Sequence, residues 1–130
     1  MDQYIIIAVI IALLAFQIIR KYFGIANKVK ITPEDAKNKI DKEKNIILLD
    51  VRTKNEYLGK HIPKSTLIPI DKLTNEAVKK LPDKNREIIV YCSAGNRSAR
   101  AVKILNKLGY TNIHNLGALY KWPYKTVSGK

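Results

Sequence analysis

The residue best suited to chemistry is Cys92, the single cysteine of this 130-residue chain. It follows an apolar run, Ile88-Ile89-Val90-Tyr91, and opens a polar segment, Cys92-Ser93-Ala94-Gly95-Asn96-Arg97-Ser98. A helical pattern comes next, Ala99-Arg100-Ala101-Val102-Lys103-Ile104-Leu105. The β-branched run reads as a buried strand and the later segment as a helix. The thiol therefore stands where a strand end meets the positive end of a helix. Loop N–H groups and the helix dipole both favour thiolate over thiol, which makes a nucleophile near neutral pH. The same N–H groups can hold an anion. Gly95 permits positive φ, so the loop can curl around the sulfur. Arg97 adds a permanent charge and a rigid donor fork. Ser98 is expected to N-cap the helix. A cysteine that merely filled a core would need none of these neighbours.

Tyr91-Cys92-x-x-Gly95-x-Arg97-Ser98 resembles the active-site loop of single-domain rhodaneses, the thiosulfate sulfurtransferase family. Upstream, Leu49-Asp50-Val51-Arg52, Glu56-Tyr57, Gly59, His61-Ile62-Pro63 and Ile68-Pro69 resemble that family's other hallmark. Downstream, the match continues through Gly109-Tyr110, Asn115-Leu116-Gly117-Ala118 and Trp122. The resemblance runs from about Ile31 to Trp122 and implies a three-layer α/β fold with a mainly parallel sheet flanked by helices. Two departures stand out: Gly117-Ala118 replaces a common Gly-Gly, and Lys64 replaces a common glycine after His-Ile-Pro.

Two chemistries use a cysteine cradled by N–H groups beside an arginine. In sulfur transfer, the Cys92 thiolate takes sulfur from thiosulfate and hands it on from a persulfide. In phosphate-ester hydrolysis, the intermediate is a phosphocysteine. The phosphatase pattern has one more residue between cysteine and arginine than the four here, Ser93, Ala94, Gly95 and Asn96. The smaller ring of donors suits a single sulfur atom better than a tetrahedral phosphate, and no acid is evident in the loop. The expected activity is thus that of a thiosulfate sulfurtransferase, with Cys92 catalytic and Ser93 to Ser98, together with Arg52, contacting substrate. A silent, membrane-tethered binding module is the alternative from another class. Asp50 and Arg52 also read as a structural pair, and His61 as a hydrogen-bonded structural residue. The expected partners are a small anionic sulfur donor, thiosulfate or a persulfide, and a thiol or cyanide acceptor.

Composition narrows the remaining classes. One cysteine excludes an intramolecular disulfide and a dithiol cycle. His61 and His114 lack metal-ligand spacing, so neither metal nor cofactor is expected. The formal net charge is +13, but the lysines are scattered, without an arginine-rich stripe or interleaved aromatics. They read as a solvated surface, and no nucleic-acid partner is expected.

Residues Tyr4 to Ile19 carry no charge and are followed by Arg20 and Lys21. The run approaches the ~20 residues of a spanning helix, and Tyr4, Tyr22 and Phe23 suit the interfaces. It lacks the positive start and small-residue cleavage site of a signal peptide. The expected organisation is an anchor over 1–23, a linker over 24–30 and one α/β domain over 31–130. Positive charge after the span predicts a single-pass protein with its domain in the cytoplasm, where reducing conditions help keep Cys92 free.

Within the domain, Thr32-Pro33-Glu34-Asp35 starts a helix. Strands are expected at Asn45–Leu49, Ser65–Ile68, Ile88–Tyr91 and Asn112–Leu116. Short helices are expected around Lys54–Gly59 and Ala118–Trp122. A longer helix is expected from a cap at Asp71 to about Leu81, ending at Pro82, and the helix after the Cys92 loop should end at Gly109. Strands alternating with helices imply a parallel sheet, with ligands beyond the strand carboxyl ends.

Overall fold

Four short segments pair side by side, all parallel, to form the sheet: β1 (Ile47–Asp50), β2 (Thr66–Leu67), β3 (Ile88–Cys92) and β4 (Ile113–Ala118). Their spatial order is β2-β1-β3-β4. The structure is a computed structural model and describes residues 2–130, apart from the side chains of residues 22–28. The first five residues of the linker expected over 24–30 continue the N-terminal helix, which ends at Lys28. Just beyond it, Lys30 bridges to Asn115 in parallel, and the Ile31 N–H donates to the Asn115 carbonyl at 3.1 Å.

Parallel strands need helical crossovers, and those helices cover both faces of the sheet. They are α2 (Pro33–Lys42), α3 (Lys54–Gly59), α4 (Ile70–Lys80) and α5 (Asn96–Lys107), preceded by α1 (Gln3–Lys28). Strand side chains alternate between two cores. Leu49, Val51, Val90 and Cys92 join Leu73 and Ala77 of α4 and Ala101 and Leu105 of α5. Leu48, Ile89 and Tyr91 join Ala36 of α2, Leu116, Leu119 and Trp122. Each fully buried Leu or Ile contributes about 1.5–3 kcal/mol.

The order β2-β1-β3-β4 reverses direction between β1 and β3. β1 connects outward to β2, and the chain then crosses back to place β3 on the other side of β1. The crevice beyond such a reversal is where open α/β sheets hold ligands. Asp50 ends β1 and Cys92 ends β3, and Asp50 pairs in register with Tyr91. The two sequence hallmarks therefore meet at the carboxyl ends of the two central strands.

Several element boundaries differ from expectation. α5 begins at Asn96, with Gly95 as its N-cap at φ 105°. Ser98 is therefore inside the first turn and is not the cap. α4 begins at Ile70 with Pro69 before it, so Asp71 sits in the first turn. There its charge complements the helix dipole. Cys92 is the last residue of β3, one beyond the expected strand end. The final helical segment is a 3₁₀ turn, Leu119–Lys121. The Thr32 cap forms as expected, with its hydroxyl accepting from the Asp35 N–H at 3.1 Å.

Lys64, one of the two departures from the family pattern, has φ 70°. An L-residue in that left-handed region is strained by about 1–2 kcal/mol, while glycine is free there. Lys64→Gly is expected to raise the unfolding free energy by about 0.5–1 kcal/mol, after glycine's own entropic cost. Lys64→Val should lower it. Urea unfolding followed by the fluorescence of Trp122, which is 8 % exposed, checks both.

α1 stands apart from the two cores. Its large apolar side chains from Tyr4 to Ile19 are 45–78 % exposed. The span Gln3–Lys21 has a mean hydropathy of 2.2 and is 0 % buried. It is a candidate membrane span, since a core helix of this length would bury its apolar side chains.

Candidate active site

Cys92 points from the end of β3 toward the α5 side of the sheet, and the residue is 1 % exposed. Its Sγ accepts the Gly95 N–H at 3.0 Å and the Ser98 N–H at 3.3 Å. The second donor is one of the unpaired N–H groups of the first turn of α5. Gly95 lets the loop close, and the Ser98 hydroxyl donates to the Gly95 carbonyl at 2.9 Å. That bond locks the turn from inside, so the Ser98 hydroxyl is committed to the loop backbone. A Cβ at Gly95 would lie 3.9 Å from the Cα of Gly117. Space is adequate there, so the requirement for glycine comes from φ. Ala94 and Asn96 are exposed and Ser93 is half-buried. They form the solvent-facing rim of the loop around the sulfur.

Arg97 does not extend into solvent as an empty fork. Its Nη1 donates to Glu56 Oε1 at 2.6 Å and its Nη2 to Glu56 Oε2 at 2.9 Å. Ser93 Oγ donates to Glu56 Oε2 at 2.9 Å. Glu56 is held from its own helix as well. In a capping box, its Oε1 accepts the Thr53 N–H at 3.1 Å while the Thr53 hydroxyl accepts the Glu56 N–H at 3.2 Å. Arg97 first, and then the Thr53 and Ser93 donors, hold the Glu56 carboxyl far below the usual carboxylate range, against a smaller opposing effect of burial. Glu56 is the site residue that the sequence reading left without a role. Its available signal was Thr53-x-x-Glu56, a capping-box spacing directly after the strand that neighbours the Cys92 strand.

Arg52 is 4 % exposed and Asp50 0 %. Arg52 Nε lies 3.1 Å from both Asp50 carboxylate oxygens, and one Nη donates to Oδ2 at 2.8 Å. The same Nη donates to the Lys60 carbonyl at 2.6 Å. The guanidinium also sits 5.7 Å from the Tyr91 ring centre. Burial pulls the Arg52 pKa down, but the hydrogen bonds and charge of Asp50 outweigh it and leave it raised. The arginine thus ties the end of β1 to the α3 segment. His61 Nδ1 lies 2.8 Å from the Tyr57 carbonyl, and its ring stacks on Tyr57 at 3.7 Å. Since a carbonyl only accepts, that nitrogen carries the proton. Tyr91 Oη lies 3.0 Å from Ser65 Oγ and accepts the Ile62 N–H at 3.2 Å. Burial lifts the Tyr91 pKa well above its usual value.

A parallel α/β sheet with a cysteine at its switch point, cradled by the N–H groups of a helix start, is the arrangement of a rhodanese-like domain. The rhodanese-like domain family model matches residues 32–123, and the chain belongs to that family. It is 37 % identical over 81 residues to the thiosulfate sulfurtransferase PspE of Escherichia coli, covering 62 % of this chain and 78 % of that protein. It is 33 % identical over 101 residues to the thiosulfate:glutathione sulfurtransferase of Saccharomyces cerevisiae, covering 68 % and 73 %. The crystal structure of a rhodanese-related protein from Thermoplasma volcanium superposes with a TM-score of 0.65 at 34 % identity, covering 75 % of this chain and 96 % of that one. The chain is homologous to thiosulfate sulfurtransferases, and this homology supports sulfurtransferase activity in general.

Proposed function

We propose that this chain moves sulfane sulfur from thiosulfate or a persulfide donor to a thiophilic acceptor, through a persulfide on Cys92. The carrying observation is the pair of backbone N–H groups aimed at Sγ, at 3.0 and 3.3 Å. The thiolate attacks the outer sulfur of thiosulfate, the S–S bond of the donor breaks, and sulfite leaves with the bonding pair. The Gly95 and Ser98 N–H groups sit where negative charge is held on sulfur throughout. An acceptor thiolate or cyanide then attacks the outer sulfur of the persulfide and returns Cys92 as thiolate. No external oxidant or reductant enters. An ionised Glu56 has no proton to give a leaving alkoxide, which argues against the phosphatase alternative. Incubation with thiosulfate should add the mass of one sulfur atom to the intact protein, and cyanide should remove it. A protein that gains no mass would refute the reading.

The exposed apolar face of α1 supports its role as a retained anchor, with Arg20 and Lys21 at its cytoplasmic end. Full-length protein should stay with membranes through alkaline carbonate, while a chain beginning at Lys28 should be soluble and active. Protease added to intact cells should spare the domain and digest it after permeabilisation. Carbonate-soluble full-length protein would overturn the anchor, and digestion in intact cells would reverse the orientation.

A further inference from the structure

Both arginines that the sequence places at the site are already neutralised by carboxylates. Arg52 is bound to Asp50 inside the fold, and Arg97 is bound to Glu56 at the loop. The second pair matters for substrate because it is half-open: the Arg97 side chain is 28 % exposed and that of Glu56 32 %. It is also better fixed than an ordinary surface ion pair. Arg97 meets Glu56 with two parallel bonds, Ser93 adds a third, and the Thr53 N–H pins the carboxylate from the α3 side. Such bidentate geometry is the strong form of the contact.

A donor approaching Cys92 through the loop rim meets this pair beside Ser93. Thiosulfate carries two negative charges on a small body. To use Arg97 it must displace a carboxylate held by other donors, and until it does so it is repelled by that carboxylate. A persulfide of an organic thiol carries at most one charge on its terminal sulfur and has a carbon body that needs no cation. We propose that Glu56 is a specificity-determining positioning residue which, by occupying Arg97, disfavours small doubly charged donors and selects organic persulfides. This rests on the sulfur-transfer reading of Cys92. The reaction it favours balances without a co-reactant: the Cys92 thiolate attacks the outer sulfur of R–S–SH, the donor S–S bond breaks, RS⁻ leaves with the pair, and Cys92–S–SH forms with the proton kept on the outer sulfur.

The test compares two donors, thiosulfate and the persulfide of 2-mercaptoethanol, on the full-length protein in wild type and Glu56→Gln. Glutamine retains the one side-chain oxygen that the capping box needs, removes the charge, and turns the oxygen facing Arg97 and Ser93 into an NH2 group that cannot accept from them. The ratio of kcat/KM for thiosulfate to that for the persulfide should rise about tenfold, roughly the effect of relieving one close like-charge contact. The rise should come from a lower thiosulfate KM, and that KM should become more sensitive to salt, because a freed arginine is screened. A ratio that stays level, or a thiosulfate KM that rises, overturns the proposal. Should Glu56→Gln lose the Trp122 fluorescence of the folded domain, Arg97→Gln serves instead. It leaves the carboxylate uncompensated and should depress thiosulfate turnover at least tenfold more than persulfide turnover. Equal losses for both donors overturn the proposal. Intact mass separates the two levels: if neither donor adds sulfur to Cys92 in wild type, the sulfur-transfer reading falls and donor selection with it. If both add sulfur and the ratio does not move, donor selection alone is wrong.

Discussion

Cys92→Ser is expected to abolish sulfur transfer and leave the domain folded. The substitution changes one atom. A serine hydroxyl can accept the same Gly95 and Ser98 N–H groups that now reach the sulfur at 3.0 and 3.3 Å. The buried polar atom would therefore remain partnered, and the fold should lose no more than about 1–2 kcal/mol. Chemistry has no such substitute. A hydroxyl forms no persulfide and is not ionised near neutral pH, and the chain has no second cysteine to take over. Turnover of thiosulfate with cyanide should fall to the uncatalysed background, a drop of at least about a thousandfold for loss of a covalent nucleophile. The mass gain from thiosulfate should vanish with it. Trp122 fluorescence and circular dichroism should stay native. Activity retained by a folded Cys92→Ser protein would remove Cys92 from the mechanism, and with it the persulfide route.

The largest stability effect is expected at the Asp50–Arg52 pair. Arg52→Met keeps an apolar stem but strands a carboxylate that is 0 % exposed. Breaking a buried pair by removing one partner costs about 3–5 kcal/mol, a large share of the about 5–15 kcal/mol that holds a domain together. The cost here includes the lost bond to the Lys60 carbonyl, which ties β1 to the segment following α3. The double change Asp50→Leu with Arg52→Met should recover much of the loss, because no unpaired charge stays buried. Urea unfolding followed at Trp122 reads the cycle. A loss below about 1 kcal/mol in the single variant would place the pair among weak surface-type contacts. Arg52→Met should also loosen α3, which carries Glu56, so its thiosulfate kinetics should shift toward those of Glu56→Gln.

The sequence pattern and the site geometry agree on a loop curled around Cys92, but they place Arg97 differently. Its loop position invites the reading of an anion-binding fork, and the structure fills that fork with Glu56. Ser98 departs from its expected place at the helix start. Its type suits an N-cap, yet Gly95 at φ 105° caps the helix three residues before the expected cap. An N-cap is set by where the backbone leaves helical φ/ψ, and the tight closure around the sulfur moved that point upstream.

What the sequence determined by itself is local. The buried strand Ile88–Cys92, the turn at Gly95 and the helix behind it are legible because β-branched runs, glycine and 3.6-residue periodicity act over a few residues. The Thr32 cap, the Lys54–Gly59 helix and the stop at Gly109 are legible for the same reason. The exposed apolar helix over Gln3–Lys21 is legible from hydropathy alone. The tertiary structure alone decided what depends on bringing the ends of β1 and β3 together. Glu56 reaches Arg97 across 41 residues of chain, and Tyr91 reaches Ile62 across 29. Those contacts follow from the strand order β2-β1-β3-β4 and its in-register pairing of Asp50 with Tyr91. The charge on a side chain can be read from its type, but the partner that neutralises it is chosen by packing. For that reason the candidate nucleophile was evident in the sequence, while the electrostatic state of the arginine beside it was decided only by the fold.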